Sequence, residues 1–272
     1  MKQKWTVTVW GTRGSFPMAS ADFLEFGGNT SCVCVGCGEE LVIFDAGSGI
    51  AGLSGLLARR GGPKKLHLLI SHLHLDHIIG LTGFQALYDP SAELHLYGES
   101  RDGESILDRL GRVLNPPYWP VGPEQFRARL FVHDVKPGQR IALAEGLYVD
   151  ALRGNHPDLS LIYRLEGMGK RVVYTLDCEM GDGMEDRLAE FSKNCDLLIW
   201  DATFIPGELK PGWGHSTWEQ GAALGKRAGA KAVLMAHFSH QYNDMVLREQ
   251  ERLALAAGPA VRFARERMEL AL

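Results

Sequence analysis

No stretch of this 272-residue chain approaches 18 consecutive apolar residues, which excludes a membrane-spanning helix and predicts no membrane partner. Positive charge is not in excess. The 29 Lys and Arg face 33 Asp and Glu, a net charge of −4, which argues against a broad nucleic-acid surface but not against a local basic patch. Cysteine is sparse and odd in number: five thiols without secretory context predict reduced side chains and a cytoplasmic location. The N-terminus, Met1-Lys2-Gln3-Lys4, runs straight into the alternating Trp5-Thr6-Val7-Thr8-Val9, a strand pattern and not the apolar stretch of a signal peptide. Repeats, low-complexity tracts and Pro/Ser-rich linkers are missing, so residues 1–272 are expected to form one domain. What is present, 45% hydrophobic and 23% charged residues, is the composition of an ordinary globular protein long enough to bury a substantial core.

Short apolar runs alternate with Gly-rich turns. The pattern predicts strands over 6–10, 31–35, 41–45, 66–71, 94–97, 147–152, 161–165, 171–175, 197–200, 232–235 and 261–264. Helices are expected over 50–60, 78–88, 103–114, 183–192, 216–228 and 243–256. Residues 115–123 stand apart, holding four of the twelve prolines together with Tyr118 and Trp119. Proline fixes φ and removes a donor, so this is a stiff irregular loop, either a packed surface crossing or a lid that stacks on a substrate.

Chemistry concentrates in residues 72–77, His-Leu-His-Leu-Asp-His, directly after the apolar run 66–71. In extended backbone, side chains at i and i+2 share a face, so His72 and His74 can grip one ion together. Asp76 and His77 follow where the chain turns toward the next helix, placed to reach a second ion. Imidazole and carboxylate donors without thiolate suit zinc, manganese or iron.

With this cluster, the chain resembles the metallo-β-lactamase superfamily over nearly its whole length. The motifs follow in order: Gly11-Thr-Arg-Gly-Ser15, Gly28-Asn-Thr-Ser31, Asp45-Ala-Gly-Ser-Gly49, the His/Asp cluster and Asn155-His156-Pro157. Tyr174-Thr-Leu-Asp177, Asp201-Ala-Thr-Phe204, Gly214-His-Ser-Thr217 and Ala236-His-Phe-Ser-His240 complete the series. The resemblance implies an α/β fold, a four-layer αββα sandwich, with two divalent metal ions at one edge. It implies that His72, His74 and His156 hold the first ion, that Asp76, His77 and His237 hold the second, and that Asp177 bridges them. Zinc is the first expectation, with Mn2+ or Fe2+ as alternatives.

Within the superfamily the resemblance is strongest to the phosphodiesterase branch, ribonuclease Z and phosphoribosyl cyclic phosphate phosphodiesterase. It implies hydrolysis of a phosphodiester through a metal-bridging hydroxide, with Asp76 and Asp177 as catalytic metal ligands and His215 assisting the leaving oxygen. Asp201 is expected to orient His215. Asn29, Thr30, Ser31, Ser216 and Thr217 are candidate substrate contacts, although Ser216 or Thr217 equally suits a helix cap and 29–31 a turn. Full-length ribonuclease Z carries a long arm between the third metal His and the bridging Asp. Here twenty residues separate His156 from Asp177. A small cyclic or linear phosphodiester is therefore the expected substrate, with RNA 3′-end cleavage as the alternative. Behind these stand a carboxylic ester, lactone or thioester hydrolase, and a metal- or nucleotide-binding sensor. A homodimer is compatible with the sequence.

Cys32-X-Cys34-X-X-Cys37 together with His240 has the composition of a structural zinc site, against which stands burial of the thiols as apolar groups. His67, His95 and His133 lie in strand-like runs and are expected to be satisfied or exposed-face residues, not ligands.

Overall fold

The computed structural model describes residues 4–60, 65–257 and 260–272, so Met1, Lys2 and Gln3, read above as the polar lead into the first strand, lie outside it. Two seven-stranded sheets face each other. The first runs in spatial order Glu269–Ala271, Trp5–Gly11, Cys32–Cys37, Glu40–Phe44, Lys65–Leu69, Glu93–Glu99 and Arg129–Val135. The second runs Val261–Phe263, Val233–Ala236, Leu197–Asp201, Lys170–Thr175, Leu161–Gly167, Leu147–Arg153 and Arg140–Ala144.

Three apolar layers explain the stacking. Alternate residues of both sheets, among them Val7, Val35, Phe44, Leu165, Tyr174 and Ile199, meet in the middle layer. The opposite face of the first sheet packs Ile43, Leu66, Leu68 and Leu94 against Ile50 and Leu53 of helix Ile50–Arg60. The opposite face of the second packs Leu198, Trp200 and Met235 against Leu188, Leu224 and Leu247 of helices Met184–Phe191, Trp218–Ala228 and Asp244–Ala257. The period-2 alternation of the strands thus gives each sheet two apolar faces, and only an αββα order buries all of them. Among the described residues no helix is long and apolar enough to cross a membrane.

All eleven predicted strands are present within one or two residues. Five more appear: Arg129–Val135, Arg140–Ala144, Glu269–Ala271 and the two-residue pair Arg13–Gly14 and Phe238–Ser239. The helix expected over 78–88 is instead the single turn Leu75–Ile78 followed by the 3₁₀ segments Ile79–Gly83 and Gln85–Tyr88. Ile78, Leu81, Phe84 and Leu87 are buried at intervals of three, the 3₁₀ period, and a Cβ at Gly80 would lie 2.1 Å from the Gly47 carbonyl oxygen. The helix expected over 103–114 is confined to Ile106–Gly111 by a capping box between Ser105 and Asp108.

Strand direction positions the site. Glu40–Phe44, Lys65–Leu69 and Glu93–Glu99 are mutually parallel, as are Lys170–Thr175, Leu197–Asp201 and Val233–Ala236. Asp45, the segment Ser71–His77, Asp177, Asp201 and His237 all lie at or just beyond the carboxyl ends of these strands, where loops converge in open α/β sheets.

Candidate metal centre

Three overlapping groups of metal-capable donors form at this edge: His72, His74, His156 and Asp177; Asp76, His77 and His237; and Asp177, His215 and His237. Asp177 joins them. Its Oδ1 lies 3.8 Å from His72 Nε2 and 3.9 Å from His156 Nε2, while its Oδ2 lies 3.0 Å from His77 Nε2 and 3.2 Å from His237 Nε2. In the second group Asp76 Oδ2 is 3.2 Å from His237 Nε2 and 3.4 Å from His77 Nε2. All seven residues named from the sequence are brought together.

The backbone is shaped for this. Asp45, Asp177 and His237 each adopt positive φ, 58°, 55° and 61°, in the residue or two after their strands end. Non-glycine residues in this region cost on the order of 1–3 kcal/mol each and persist where surrounding contacts over-determine them. Gly14 lies against the His237 ring, where a Cβ would fall 2.4 Å from the imidazole, and Gly214, at φ 80°, lies against His156 in the same way. Next to Gly14, Ser15 N donates to Asp76 Oδ2 at 2.6 Å.

Hydrogen bonds behind the rings fix which nitrogen faces forward. His77 Nδ1 donates to Asp45 Oδ2 at 2.7 Å, and Asp45 also accepts from Tyr174 Oη and Ser71 Oγ, each at 2.8 Å. His72 Nδ1 lies 3.1 Å from that Ser71 hydroxyl. His237 Nδ1 meets Thr203 Oγ1 at 2.8 Å, and Thr203 donates in turn to Asp201 Oδ1 at 2.7 Å. His74 Nε2 meets Asp158 Oδ2 at 2.5 Å, which turns Nδ1 forward. The Asp45, Asp158 and Thr203 roles were missed from sequence. Asp45 and Thr203 stood in quoted motifs, but what each touches is set by tertiary folding.

Forward-facing lone pairs therefore meet one another and two carboxylates. His72 Nε2 and Asp177 Oδ2 are buried without any hydrogen-bond partner. Burial lowers the pKa of His72 well below its ordinary value and that of His156 to about 4, keeping both rings neutral. Burial acts against ionisation of Asp177 as well, but His237, His77 and His72 outweigh it and hold the carboxylate well below its usual range. At His77 burial is overcome in the opposite sense by Asp177, Asp76 and Asp45, which raise its pKa strongly. A buried set of acceptors that pulls protons onto its own rings is short of positive charge. Divalent cations fit that deficit in sign, donor type and number.

His215 stands beside this cluster. Its Nδ1 donates to Asp201 Oδ2 at 2.9 Å and lies 3.7 Å from Asp177 Oδ1. Burial lowers its pKa, but Asp201, Asp177 and Asp76 together raise it to about 9. The other sequence candidates are occupied internally. Asn29 binds Glu266 at 2.9 Å and accepts from Ser48 Oγ, and Thr30 Oγ1 accepts from Ser48 N. Ser31 Oγ donates to Arg13 O, Ser216 Oγ donates to Cys178 O at 2.6 Å, and Thr217 caps helix Trp218–Ala228 through a capping box with Gln220. These five side chains hold loops in place.

The cysteine site is not assembled. Cys32 and Cys34 share the outer face of their strand, and Cys37, an odd number of residues on, points into the layer between the sheets. Cys34 Sγ accepts from Trp10 Nε1 at 3.2 Å, and His240 packs against Phe16. In segment 115–123, Tyr118 is 77% exposed, and among the described residues no hydrogen bond or ring contact joins that segment to the cluster.

A model of the beta-lactamase superfamily domain matches residues 41–238. The chain belongs to that family. It is 28% identical over 266 residues to a protein named Ribonuclease Z from Nitrosopumilus maritimus (strain SCM1), an alignment covering 82% of this chain and 88% of the relative. The crystal structure of the metallo-beta-lactamase fold protein YhfI from Bacillus subtilis superposes with a TM-score of 0.77 at 23% identity, covering all of both chains. A diphosphatase from the PhnP family superposes with a TM-score of 0.70 at 20% identity, covering 100% of this chain and 98% of the other. These likenesses agree with the αββα layering and with divalent metal binding at the His/Asp cluster.

Proposed function

We propose that this chain is a metal-dependent phosphodiesterase whose reaction takes place at the Asp177 junction. The observation that carries the reading is the division of one buried carboxylate between two donor groups, Oδ1 toward His72 and His156, Oδ2 toward His77 and His237. His72, His74 and His156 would hold one ion, Asp76, His77 and His237 the other, and Asp177 both. The imidazole-rich donor set favours zinc. When bound, such a pair supplies an acidified water and neutralises charge on the phosphoryl oxygens. Asp45, Thr203 and Asp158 hold the ligand rings in register. His215, held through Nδ1 by Asp201, has Nε2 free to donate a proton to the departing oxygen or a hydrogen bond to a phosphoryl oxygen.

The substrate is a small phosphodiester. Between His156 and Asp177 the chain builds only the hairpin Leu161–Gly167 and Lys170–Thr175, with no projecting arm to grip a large RNA. The name of the Nitrosopumilus relative favours the second reading, RNA 3′-end cleavage. Hydrolysis of bis(p-nitrophenyl) phosphate, assayed after EDTA treatment and after restoring zinc or manganese, tests the proposal. Nitrophenol release that is lost with EDTA and restored by metal is expected. Absence of any metal-dependent release, with turnover of a thioester or lactone instead, would overturn it.

A further inference from the structure

The loop from Phe204 to His215 contributes no donor to the metal groups until its last residue, yet it is pinned throughout. Phe204 N donates to Ser216 O at 3.1 Å and closes the loop at its base. The Glu179 carboxylate accepts from Gly212 N at 2.9 and 2.8 Å and from Gly214 N at 2.9 Å. Tyr242 Oη donates to Glu208 Oε2 at 2.7 Å on the other limb. What this loop presents is Trp213, 58% exposed, whereas Trp5, Trp10, Trp200 and Trp218 are buried. Phe204 meets the indole edge-on at 6.5 Å and meets His215 edge-on at 6.0 Å, so one phenyl ring links the two. Lys210 Nζ lies 4.6 Å from the indole centre.

An exposed indole on a mobile loop is unremarkable surface. Here the backbone on either side of it is held by one carboxylate, Glu179, through Gly212 N and Gly214 N, two residues from His215, and a cation, Lys210 Nζ, lies over one face of the ring, leaving the other to a ligand. We propose that Trp213, assisted by Lys210, is a specificity-determining residue that stacks the nucleobase of a nucleoside phosphodiester while the phosphate occupies the cluster beside His215. The proposal rests on the phosphodiesterase reading above and narrows its substrate class. Every nucleobase offers a planar face to an indole, so the platform selects for a base without selecting which one. The ammonium of Lys210 adds attraction for phosphate oxygens, and abasic phosphodiesters forgo the stacking.

The test compares adenosine 2′,3′-cyclic phosphate with abasic 1-O-methylribose 2,3-cyclic phosphate on zinc-loaded wild type, Trp213→Ala and Trp213→Phe, alongside titration of indole fluorescence with AMP. Trp213→Ala is expected to raise KM for the nucleotide roughly 5- to 100-fold, with kcat and the abasic KM unchanged, and Trp213→Phe to restore most of the loss. AMP should quench emission of the wild type and not of Trp213→Phe. Equal KM changes for both substrates, or none for either, would overturn the platform. Bis(p-nitrophenyl) phosphate hydrolysis reports separately on the hydrolase reading. Where the cyclic phosphates are not turned over, the titration decides alone: quenching that is absent, or unaltered in Trp213→Phe, overturns the proposal.

Discussion

His67, His95 and His133 lie on the first sheet within ring contact of one another, as the histidines at the candidate metal centre do, but the two groups are wired differently. His67 Nε2 donates to Glu40 at 3.0 Å and its Nδ1 lies 3.1 Å from the Tyr97 hydroxyl. His95 Nε2 donates to Glu93 at 3.0 Å and its Nδ1 lies 3.0 Å from His133 Nε2. Each nitrogen of His67 and His95 has a complementary partner, so these rings need nothing further. At the metal centre, partners stand behind the rings of His72, His74, His77 and His237, while the forward nitrogens face other nitrogens and carboxylates, 3.1 Å apart at His77 and His237. Proximity of histidines therefore does not mark a metal site. A buried convergence of forward ring nitrogens on two carboxylates does.

The strongest way to break this contrast is Asp177→Asn. It removes charge from the atom pair that joins the donor groups, and is expected to cost at least about a thousandfold in phosphodiesterase turnover, with bound metal falling below the wild-type content. His133→Ala should leave both quantities at wild-type level. Elemental analysis beside the turnover assay checks both. Full metal content in Asp177→Asn would show that the carboxylate does not join the groups.

Asp158→Asn probes a lesser dependence. Asp158 touches only the back of His74, so its loss should loosen the first ion roughly 10- to 100-fold, read as competition with a chelator, while the fold and the second donor group stay intact. Unchanged affinity would mean that His74 is held by backbone alone.

These roles show where sequence reading stops. Alternation made most strands legible, and the 72–77 spacing exposed the local half of the centre. Arg129–Val135 escaped because it is an edge strand whose residues are mostly exposed or half-buried, so its polar and apolar positions do not alternate cleanly. The helix over 78–88 was overread because apolar residues at every third position fit an α-helical stripe as well as a 3₁₀ run. Asp158 and Glu179 carry no local signature, and the motif that contains Thr203 does not show what its hydroxyl touches. They matter through contacts made across the fold, as does Ser216, whose hydroxyl donates to Cys178 O, whereas Thr217 takes the helix-cap alternative that the sequence also offers.

On the satisfied side of the contrast, His67 predicts a pH effect on stability without one on metal. Burial lowers its pKa to about 4 against the opposing pull of Glu40, with Lys65 and His95 also lowering it. Between pH 4 and 6.5 the unfolded chain binds the proton that the folded ring refuses, so stability rises with pH and is lost on acidification through this window. The contribution is at most about 3 kcal/mol. Urea denaturation should find His67→Gln costly at pH 7.5 and distinctly less so at pH 4.5, with metal content unchanged at neutral pH. A cost independent of pH would show that the ring acts through packing only.

The smallest expected effect sharpens the contrast inside the site itself. Thr217 is two residues from His215 and reads in sequence as either a substrate contact or a helix cap; its hydroxyl accepts from Gln220 N while Gln220 Oε1 accepts from Thr217 N. It belongs with the satisfied groups although it lies beside the unsatisfied ones. Thr217→Ala removes one cap from helix Trp218–Ala228, at a cost of about 1 kcal/mol in stability. Because the helix start carries Trp200 Nε1 on the Thr217 carbonyl at 3.0 Å, a backbone contact that the substitution keeps, His215 should hold its place. Thermal denaturation should show a shift of a few degrees, with KM and kcat within about twofold of wild type. A KM that rises while stability stays put would return Thr217 to the substrate.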